Sequence, residues 1–165
     1  MPTMTYKHYA WPVSPYSAKT RAYLRYKDIP FEDIKPSGLR LMYTIKRAVG
    51  KPVMPTVLTP DGAWLQDSSE IIDALERAHP EPSVIPRGHT QRIAALLLEL
   101  HGDEWLPLVT MHTRWNIERN ARFAEDEFGR YAFPWLPRLI GKRLAQPFAK
   151  KMRGYRPSIG ITPNT

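Results

Sequence analysis

Val53-Met54-Pro55-Thr56-Val57 is the stretch of this sequence that decides its fold. Pro55 has no backbone N–H and precedes a β-branched apolar run, so it belongs at the first residue of a strand or at a sheet edge. If its peptide bond is cis, the proline holds a tight turn, and such turns often face ligands. The stretch therefore predicts a strand beginning at Thr56, entered through a turn that is open to a ligand.

Two polar segments on either side of this proline each open a predicted helix. Ser14 is a suitable N-cap, and Pro15 stands at the first helical position, where a missing N–H has no cost. On the other side, Asp67 or Ser68 caps a second helix. Because the free N–H groups at helix starts attract anions, the three segments together predict one binding site for a small, anionic, peptide-like molecule.

Hydrophobic periodicity and turn residues give the order β-α-β-α-β-β-α over roughly the first 80 residues. The predicted elements are a strand over 6–10, a helix over 15–27, a strand over 31–34, a helix over 39–49, a hairpin of 56–59 and 63–66, and a helix over 69–78. Everything that follows is helical in tendency. The predicted helical stretches are 91–100, continued over 105–115 past a kink at Pro107, then 117–130 and 136–152. Prolines between the two parts predict a division into domain 1–80, linker 81–89 and domain 90–165.

The composition excludes several classes of protein. Hydrophobic residues make up 42% and charged residues 24%, which is ordinary for a globular chain. The absence of cysteine excludes disulfides, thiolate metal sites and a Cys-x-x-Cys redox centre. The histidines have no metal-ligand spacing with carboxylates, so no metal site is predicted. No apolar run approaches the ~20 residues of a membrane span, and the start lacks a basic-then-apolar signal, so a cytoplasmic location is expected.

The net charge of +8 is concentrated at one end of the chain. Residues 130–165 contain eight basic side chains and no acidic one, whereas residues 1–129 contain 16 of each sign. The interpretation we favour is a helical segment whose acidic neighbours are not part of this chain. Attachment to nucleic acid or to an anionic membrane surface is the alternative.

Taken together, these motifs resemble those of the glutathione S-transferase family. The residues that carry the resemblance are Ser14-Pro15-Tyr16-Ser17 with Lys19 and Arg21, Val53-Met54-Pro55-Thr56-Val57, and Asp61-Gly62 leading to Asp67-Ser68-Ser69-Glu70-Ile71-Ile72. The resemblance implies an α/β plus all-α architecture, with a thioredoxin-like N-terminal domain followed by a helical domain. Met54 replaces the usual valine and Asp67 the usual glutamate. The helical domain is shorter than in members of the family, so the chain resembles a fragment or a truncated member with an incomplete helical domain.

The resemblance also implies roles for individual residues. Ser14 is the implied catalytic donor that stabilises the glutathione thiolate, with Tyr9 at the end of the first strand and Ser17 as alternatives. Ser17, one turn further along, is expected to face solvent or ligand. The implied substrate-binding residues are Met54, which offers its main chain to the cysteinyl part, Pro55, Asp67 and Ser68 at the γ-glutamyl end, and Lys51 near the glycyl carboxylate.

The resemblance further implies an enzyme that conjugates glutathione to a small apolar electrophile. Glutathione is then a co-substrate and no further cofactor is implied. The resemblance implies a homodimer and no nucleic-acid partner. The lack of cysteine argues against the disulfide-exchange branches of the same fold, which need a protein thiol. The alternative is a non-catalytic module of the same fold that serves in binding or assembly.

Overall fold

A four-stranded sheet organises the first part of the chain in the computed structural model, which describes residues 5–162. The strands are β1 (Tyr6–Tyr9), β2 (Phe31–Ile34), β3 (Thr56–Leu58) and β4 (Trp64–Gln66), in the spatial order β2-β1-β3-β4. β1 runs parallel to β2 and antiparallel to β3, and β4 pairs antiparallel with β3. The parallel pair needs a helical crossover, whereas a short turn joins the antiparallel pair of β3 and β4.

Three helices complete this part: α1 (Pro15–Tyr26), α2 (Lys46–Val49) and α3 (Ser68–Ala78). The predicted β-α-β-α-β-β-α order is confirmed, and the thioredoxin-like arrangement with it. The helix expected over 39–49 differs from its prediction, because residues Arg40–Ile45 form a π-helical turn before α2 begins. Gly50 ends α2 in the left-handed conformation, with a φ of 81° that favours glycine.

The core of this part lies between the sheet and one face of α1 and α3. These two helices supply most of the buried side chains, and β3 supplies the fully buried Val57. The cluster consists of Tyr23, Leu24, Ile29, Val57, Ile71 and Leu75. Both helices are therefore fixed to the same side of the sheet by apolar burial.

A buried ion pair joins α1 to α3 inside this layer. The Lys27 ammonium lies 2.9 Å from a carboxylate oxygen of Glu76, and Tyr23 donates its hydroxyl hydrogen to the same oxygen. Burial by itself raises the pKa of Glu76, but hydrogen bonds from Tyr23 and Lys27 outweigh it and lower the pKa from 4.5 to about 2. The carboxylate therefore stays ionised inside the protein at neutral pH.

The second part of the chain consists of helices. The chain divides into two compact units, one ending at Val84 and the other beginning at Ile85. The second unit contains α4 (His89–Glu104), α5 (Leu106–Asn116), α6 (Glu118–Ala132) and α7 (Arg138–Gly154), followed by a 3₁₀ turn over Pro157–Ile159. The predicted domain limits of 1–80, 81–89 and 90–165 stay a prediction, and residues 163–165 lie outside the described range.

The expected continuation of one helix past Pro107 is wrong. α4 ends at Glu104, and α5 begins at Leu106 with Pro107 at its second position. Proline lacks an N–H and clashes with the carbonyl four residues earlier, so it breaks the helix here and starts a new one. Within residues 5–162, no helix is both long and apolar enough to cross a bilayer.

Two glycines let α6 and α7 cross with their backbones in contact. A Cβ placed on Gly129 would lie 2.5 Å from the backbone nitrogen of Lys142, and one on Gly141 would lie 3.0 Å from the carbonyl oxygen of Gly129. Ala145 and Ala149 continue the small-residue face of α7 and are buried. Leu139, Ile140 and Leu144 of α7 are by contrast exposed.

We predict that Glu76→Gln destabilises the protein by about 3 kcal/mol at pH 7, because it leaves the Lys27 ammonium buried without a counter-charge. The folded-state pKa of Glu76 is lowered, so its stabilisation is complete above about pH 4.5 and is lost as the pH falls toward 2. Urea unfolding at pH 7 and pH 3 should therefore show a difference between wild type and variant that shrinks at the lower pH. Glu118→Gln, which removes an exposed ion pair with Arg122, is the control and should have almost no effect. A pH-independent difference for Glu76→Gln would contradict the prediction.

We also predict that Gly129→Ala lowers the free energy of unfolding by about 1–3 kcal/mol, because the added methyl collides with the backbone of α7. Gly102→Ala in α4 is the matched control, since nothing lies within 4 Å of its added Cβ. That control should stabilise by up to about 1 kcal/mol through helix propensity. Thermal unfolding followed by circular dichroism measures both, and equal effects would disprove the close crossing.

Candidate functional site

The register of the sheet brings the three sequence-predicted segments to one edge. Tyr9 at the end of β1 pairs with Thr56 at the start of β3, and Thr56 pairs with Gln66 at the end of β4. Adjacent strands lie about 4.8 Å apart. The segment that runs from Tyr9 to Ser14, the segment that ends at Pro55 and the start of α3 at Asp67 therefore meet at this edge. We call it the site edge.

Ser14 stands at the start of α1, where the turn after β1 places it. Ser14 N–H donates to the Trp11 carbonyl (3.2 Å), and the Trp11 indole N–H donates to the Pro36 carbonyl (2.8 Å), which anchors the turn. The Ser14 Oγ accepts the N–H of Ser17 at 3.2 Å, as an N-cap does. Within residues 5–162 its own hydroxyl hydrogen has no acceptor, so the hydroxyl retains a donor at the positive end of α1.

The two alternative donors lie in different surroundings. Ser17 is fully buried, so the expectation that it faces solvent or ligand is wrong. It occupies the inner side of the first turn of α1, and its Oγ has no hydrogen-bond partner within the described chain. Tyr9 is 7% exposed, and its ring stacks on Trp64 with a centroid distance of 5.2 Å. Burial raises the pKa of Tyr9.

The start of α3 forms the opposite side of the site edge. Asp67 is the N-cap, and its carboxylate accepts the N–H of Ser69 at 3.0 Å. Ser68 is buried directly behind it. The ammonium of Lys19, in the second turn of α1, donates to the Ser69 hydroxyl at 3.0 Å. This contact places the beginnings of α1 and α3 side by side.

Asp67 has a backbone conformation that is unusual for a residue with a side chain. Its φ is 70° and its ψ 134°, so it lies in the positive-φ region that favours glycine. A conformation of this kind costs roughly 1–3 kcal/mol and occurs preferentially at ligand-binding sites. Nothing in the sequence indicates this strain, because aspartate at a helix cap ordinarily has a negative φ.

Pro55 and the residues before it complete the edge. The Met54–Pro55 peptide bond is cis. Pro55 is buried, Met54 is half-buried, and both directly precede the first residue of β3. Lys51 is exposed in the loop after α2.

Sequence reasoning missed Arg40, at the start of the π-helical turn. Its positive charge acts on the Tyr9 hydroxyl and opposes the rise in the Tyr9 pKa that burial causes. Arg40 is exposed, so its guanidinium, like the ammonium of Lys51, is available to an anion near the site edge. Its position depends on the π-helical turn, which has no reliable signature in a single sequence.

A buried network fixes α1 to the sheet behind this edge. His8 is fully buried and shares hydrogen bonds with Asp33 (3.0 Å) and Thr20 (2.8 Å), while Arg21 binds both carboxylate oxygens of Asp33. Burial lowers the pKa of His8, so the ring is neutral at pH 7. Ionised Asp33 can only accept, so we assign the His8 proton to Nδ1 and the accepting position to Nε2, which faces Thr20. Within residues 5–162, no group of three histidine or acidic side chains converges as a metal site requires.

Comparison with known proteins identifies the first unit. Residues 9–83 match the family described as glutathione S-transferase, N-terminal domain. This match confirms, for residues 9–83, the family resemblance inferred from the sequence. A search of curated proteins found no match.

Several solved structures share the fold over most of the chain. A glutathione S-transferase from Methylobacterium radiotolerans, in complex with glutathione sulfonate, has a TM-score of 0.56 and 21% identity, covering 91% of this chain and 89% of that one. One from Rhodospirillum rubrum has a TM-score of 0.63 and 17% identity, with coverages of 96% and 81%. One from Methylobacillus flagellatus, with glutathione bound, has a TM-score of 0.57 and 19% identity, with coverages of 89% and 69%.

Proposed function

We propose that this chain binds glutathione at the site edge and transfers the glutathione sulfur to a small apolar electrophile. The observation that carries the proposal is the position of Ser14. Its hydroxyl retains a donor at the positive end of α1, on the edge shared with the Met54–Pro55 turn and the start of α3. Glutathione and glutathione sulfonate are the ligands named for two of the solved relatives, which supports the choice of substrate.

The chemistry requires a thiolate near neutral pH. An unperturbed thiol has a pKa of about 8.5, so the protein must favour the ionised form. A hydrogen bond from Ser14 and the partial positive charge of the α1 N-terminus both stabilise a thiolate over a thiol. No acidic residue in the first turn of α1 opposes this effect.

The rest of the tripeptide would be held by main-chain and charged groups along the edge. Met54 would pair with the cysteinyl residue through its N–H and C=O groups. The N–H groups at the start of α3 and the Ser68 hydroxyl would bind the γ-glutamyl carboxylate, while the Asp67 carboxylate would pair with the ammonium. Lys51 or Arg40 would bind the glycyl carboxylate.

The homodimer implied by the resemblance is also a proposal. α4 supports it, because Ile93, Leu96, Leu97 and Leu100 are more than half exposed and recur at helical spacing on one side of that helix. An apolar stripe of this kind is typical of a surface that is covered by another helix.

The N-cap hydrogen bond of Ser14 favours a second candidate function. Because Ser14 Oγ already accepts the N–H of Ser17, its whole role could be to cap α1. The chain would then be a non-catalytic module that binds glutathione without activating it. The two candidates differ in the pKa of the bound thiol.

We predict that Ser14→Ala retains glutathione binding but returns the pKa of the bound thiol toward about 8.5, because the donor is lost. Turnover with a small apolar electrophile should fall about a hundredfold, as when one donor to a developing anion is removed. The measurements are calorimetric titration with glutathione, ultraviolet absorbance of the thiolate against pH, and the conjugation rate.

Ser17→Ala and Tyr9→Phe are matched controls, each removing one hydroxyl from the same region. Both should leave the thiol pKa unchanged, since Ser17 is fully buried and the Tyr9 ring is stacked on Trp64. An unshifted thiol pKa in the wild-type complex would reject the transferase in favour of the binding module. A lack of glutathione binding would reject both.

We further predict that Asp67→Gly weakens glutathione binding at least about tenfold, because a charged hydrogen bond to the ligand is lost. The same change should leave stability unchanged or raise it by about 1 kcal/mol, because glycine adopts a positive φ without strain. Asp28→Gly is the control: Asp28 is the other described non-glycine residue with a positive φ, at 51°, and follows the opposite end of α1. It should raise stability without changing affinity. An unchanged affinity of Asp67→Gly for glutathione would show that the Asp67 carboxylate does not contact the ligand.

A further inference from the structure

The outward side of α7 carries an apolar stripe beside a basic stripe. Ile140 (50% exposed), Leu144 (52%) and Phe148 (44%) follow one another at intervals of four residues and so lie along one line of the helix surface. Arg143 and Lys150 lie along the neighbouring line of the helix surface. Lys151 lies at the C-terminal end of the apolar stripe, one turn beyond Phe148. We name these six side chains the α7 outer face.

This face is outward because the opposite side of the helix is occupied. Gly141, Ala145 and Ala149 are buried, and the contact of Gly141 with Gly129 fixes that side against α6. Phe148, the last residue of the apolar stripe, packs its ring against that of Phe128 at a centroid distance of 5.2 Å. Ile140 and Leu144, the other two residues of the stripe, have about half of their surface exposed to water.

Six of the eight basic residues between positions 130 and 165 fall into two groups. Arg138 and Lys142 form ion pairs with Asp126, and Arg130 pairs with Glu127. Arg143, Lys150 and Lys151, by contrast, have no ion-pair partner among residues 5–162. No acidic residue occurs from 130 to 165, so no carboxylate of α7 itself compensates the charges of Arg143, Lys150 and Lys151.

We propose that the α7 outer face binds an anionic phospholipid surface, with α7 lying parallel to the plane of the membrane. Ile140, Leu144 and Phe148 enter the boundary between headgroups and acyl chains. Arg143, Lys150 and Lys151 pair with lipid phosphates and carboxylates, since their long side chains reach the headgroups from a helix at this depth. Charge complementarity selects an anionic leaflet, and the apolar stripe selects lipid over nucleic acid, because a phosphate backbone would leave that stripe in water.

The test uses the whole chain and vesicles of two compositions: phosphatidylcholine alone, and phosphatidylcholine with about one third phosphatidylserine. Co-sedimentation should show binding to the anionic vesicles only. Raising sodium chloride from about 0.1 M to about 1 M shortens the screening length from about 10 Å to about 3 Å and should weaken that binding. Binding that is equal on both kinds of vesicle, or absent from both, overturns the proposal.

Two variants separate the contributions of charge and apolar contact. Replacing Arg143, Lys150 and Lys151 with glutamine should weaken binding on the order of a hundredfold, since each basic side chain near an anionic leaflet contributes roughly a fivefold factor. Ile140→Asn with Leu144→Asn should weaken it by at least about tenfold while all charges remain. These positions are exposed, and circular dichroism verifies that each variant is folded.

The control removes the same number of charges elsewhere. Arg25, Lys46 and Arg47 are exposed in the first unit, and their replacement with glutamine should leave lipid binding within about threefold of wild type. A loss as large as that of the α7 charge variant would overturn the proposal, because total charge alone would then explain the binding. The proposal is also wrong if a labelled DNA duplex binds as tightly as the anionic vesicles and the two asparagine substitutions weaken neither.

Discussion

The side-by-side packing of α1 and α3 on one face of the sheet is the constraint on which the candidate site depends. Tyr23 of α1 and Lys27, which caps the end of α1, hold Glu76 of α3 near one end of the pair, and Lys19 holds Ser69 at the other. Apolar burial of Leu24 and its neighbours between the helices and the sheet supports both contacts. Because contacts near both ends hold the two helices together, both N-termini lie at the site edge. Their partial positive charges therefore act on the same small volume.

The candidate site is built largely from main-chain groups, and this accounts for how far the sequence can diverge around it. Helix N–H groups and the backbone of Met54 do not depend on the identity of the side chain that accompanies them. Solved transferases with only 17–21% identity to this chain share its fold. The two side chains proposed to act on the ligand, Ser14 and Asp67, also cap the two helices.

Local signals with a direct physical cause were read correctly from the sequence. Ser14 with Pro15 marked the start of α1, and Gly50 marked the end of α2, because each residue meets a steric or hydrogen-bonding need at one position. Features decided by tertiary packing could not be predicted from the sequence. Ser17 could have been on either side of α1 until the core determined which side was buried, and the π-helical turn that places Arg40 depends on its surroundings. The sequence predicts that Pro107 disturbs the helix around it, but a single proline does not show whether the helix kinks or ends there.

The β3–β4 hairpin turns at the end of the sheet that is remote from the site edge. Leu58 and Trp64 form the last pair there, and the turn beyond them contains the exposed residues Asp61 and Gly62. Gly62 has a φ of 93° and open space around its missing side chain. A fluorophore, an immobilisation tether or an inserted peptide attached at this turn would consequently leave the openings of both helices unobstructed.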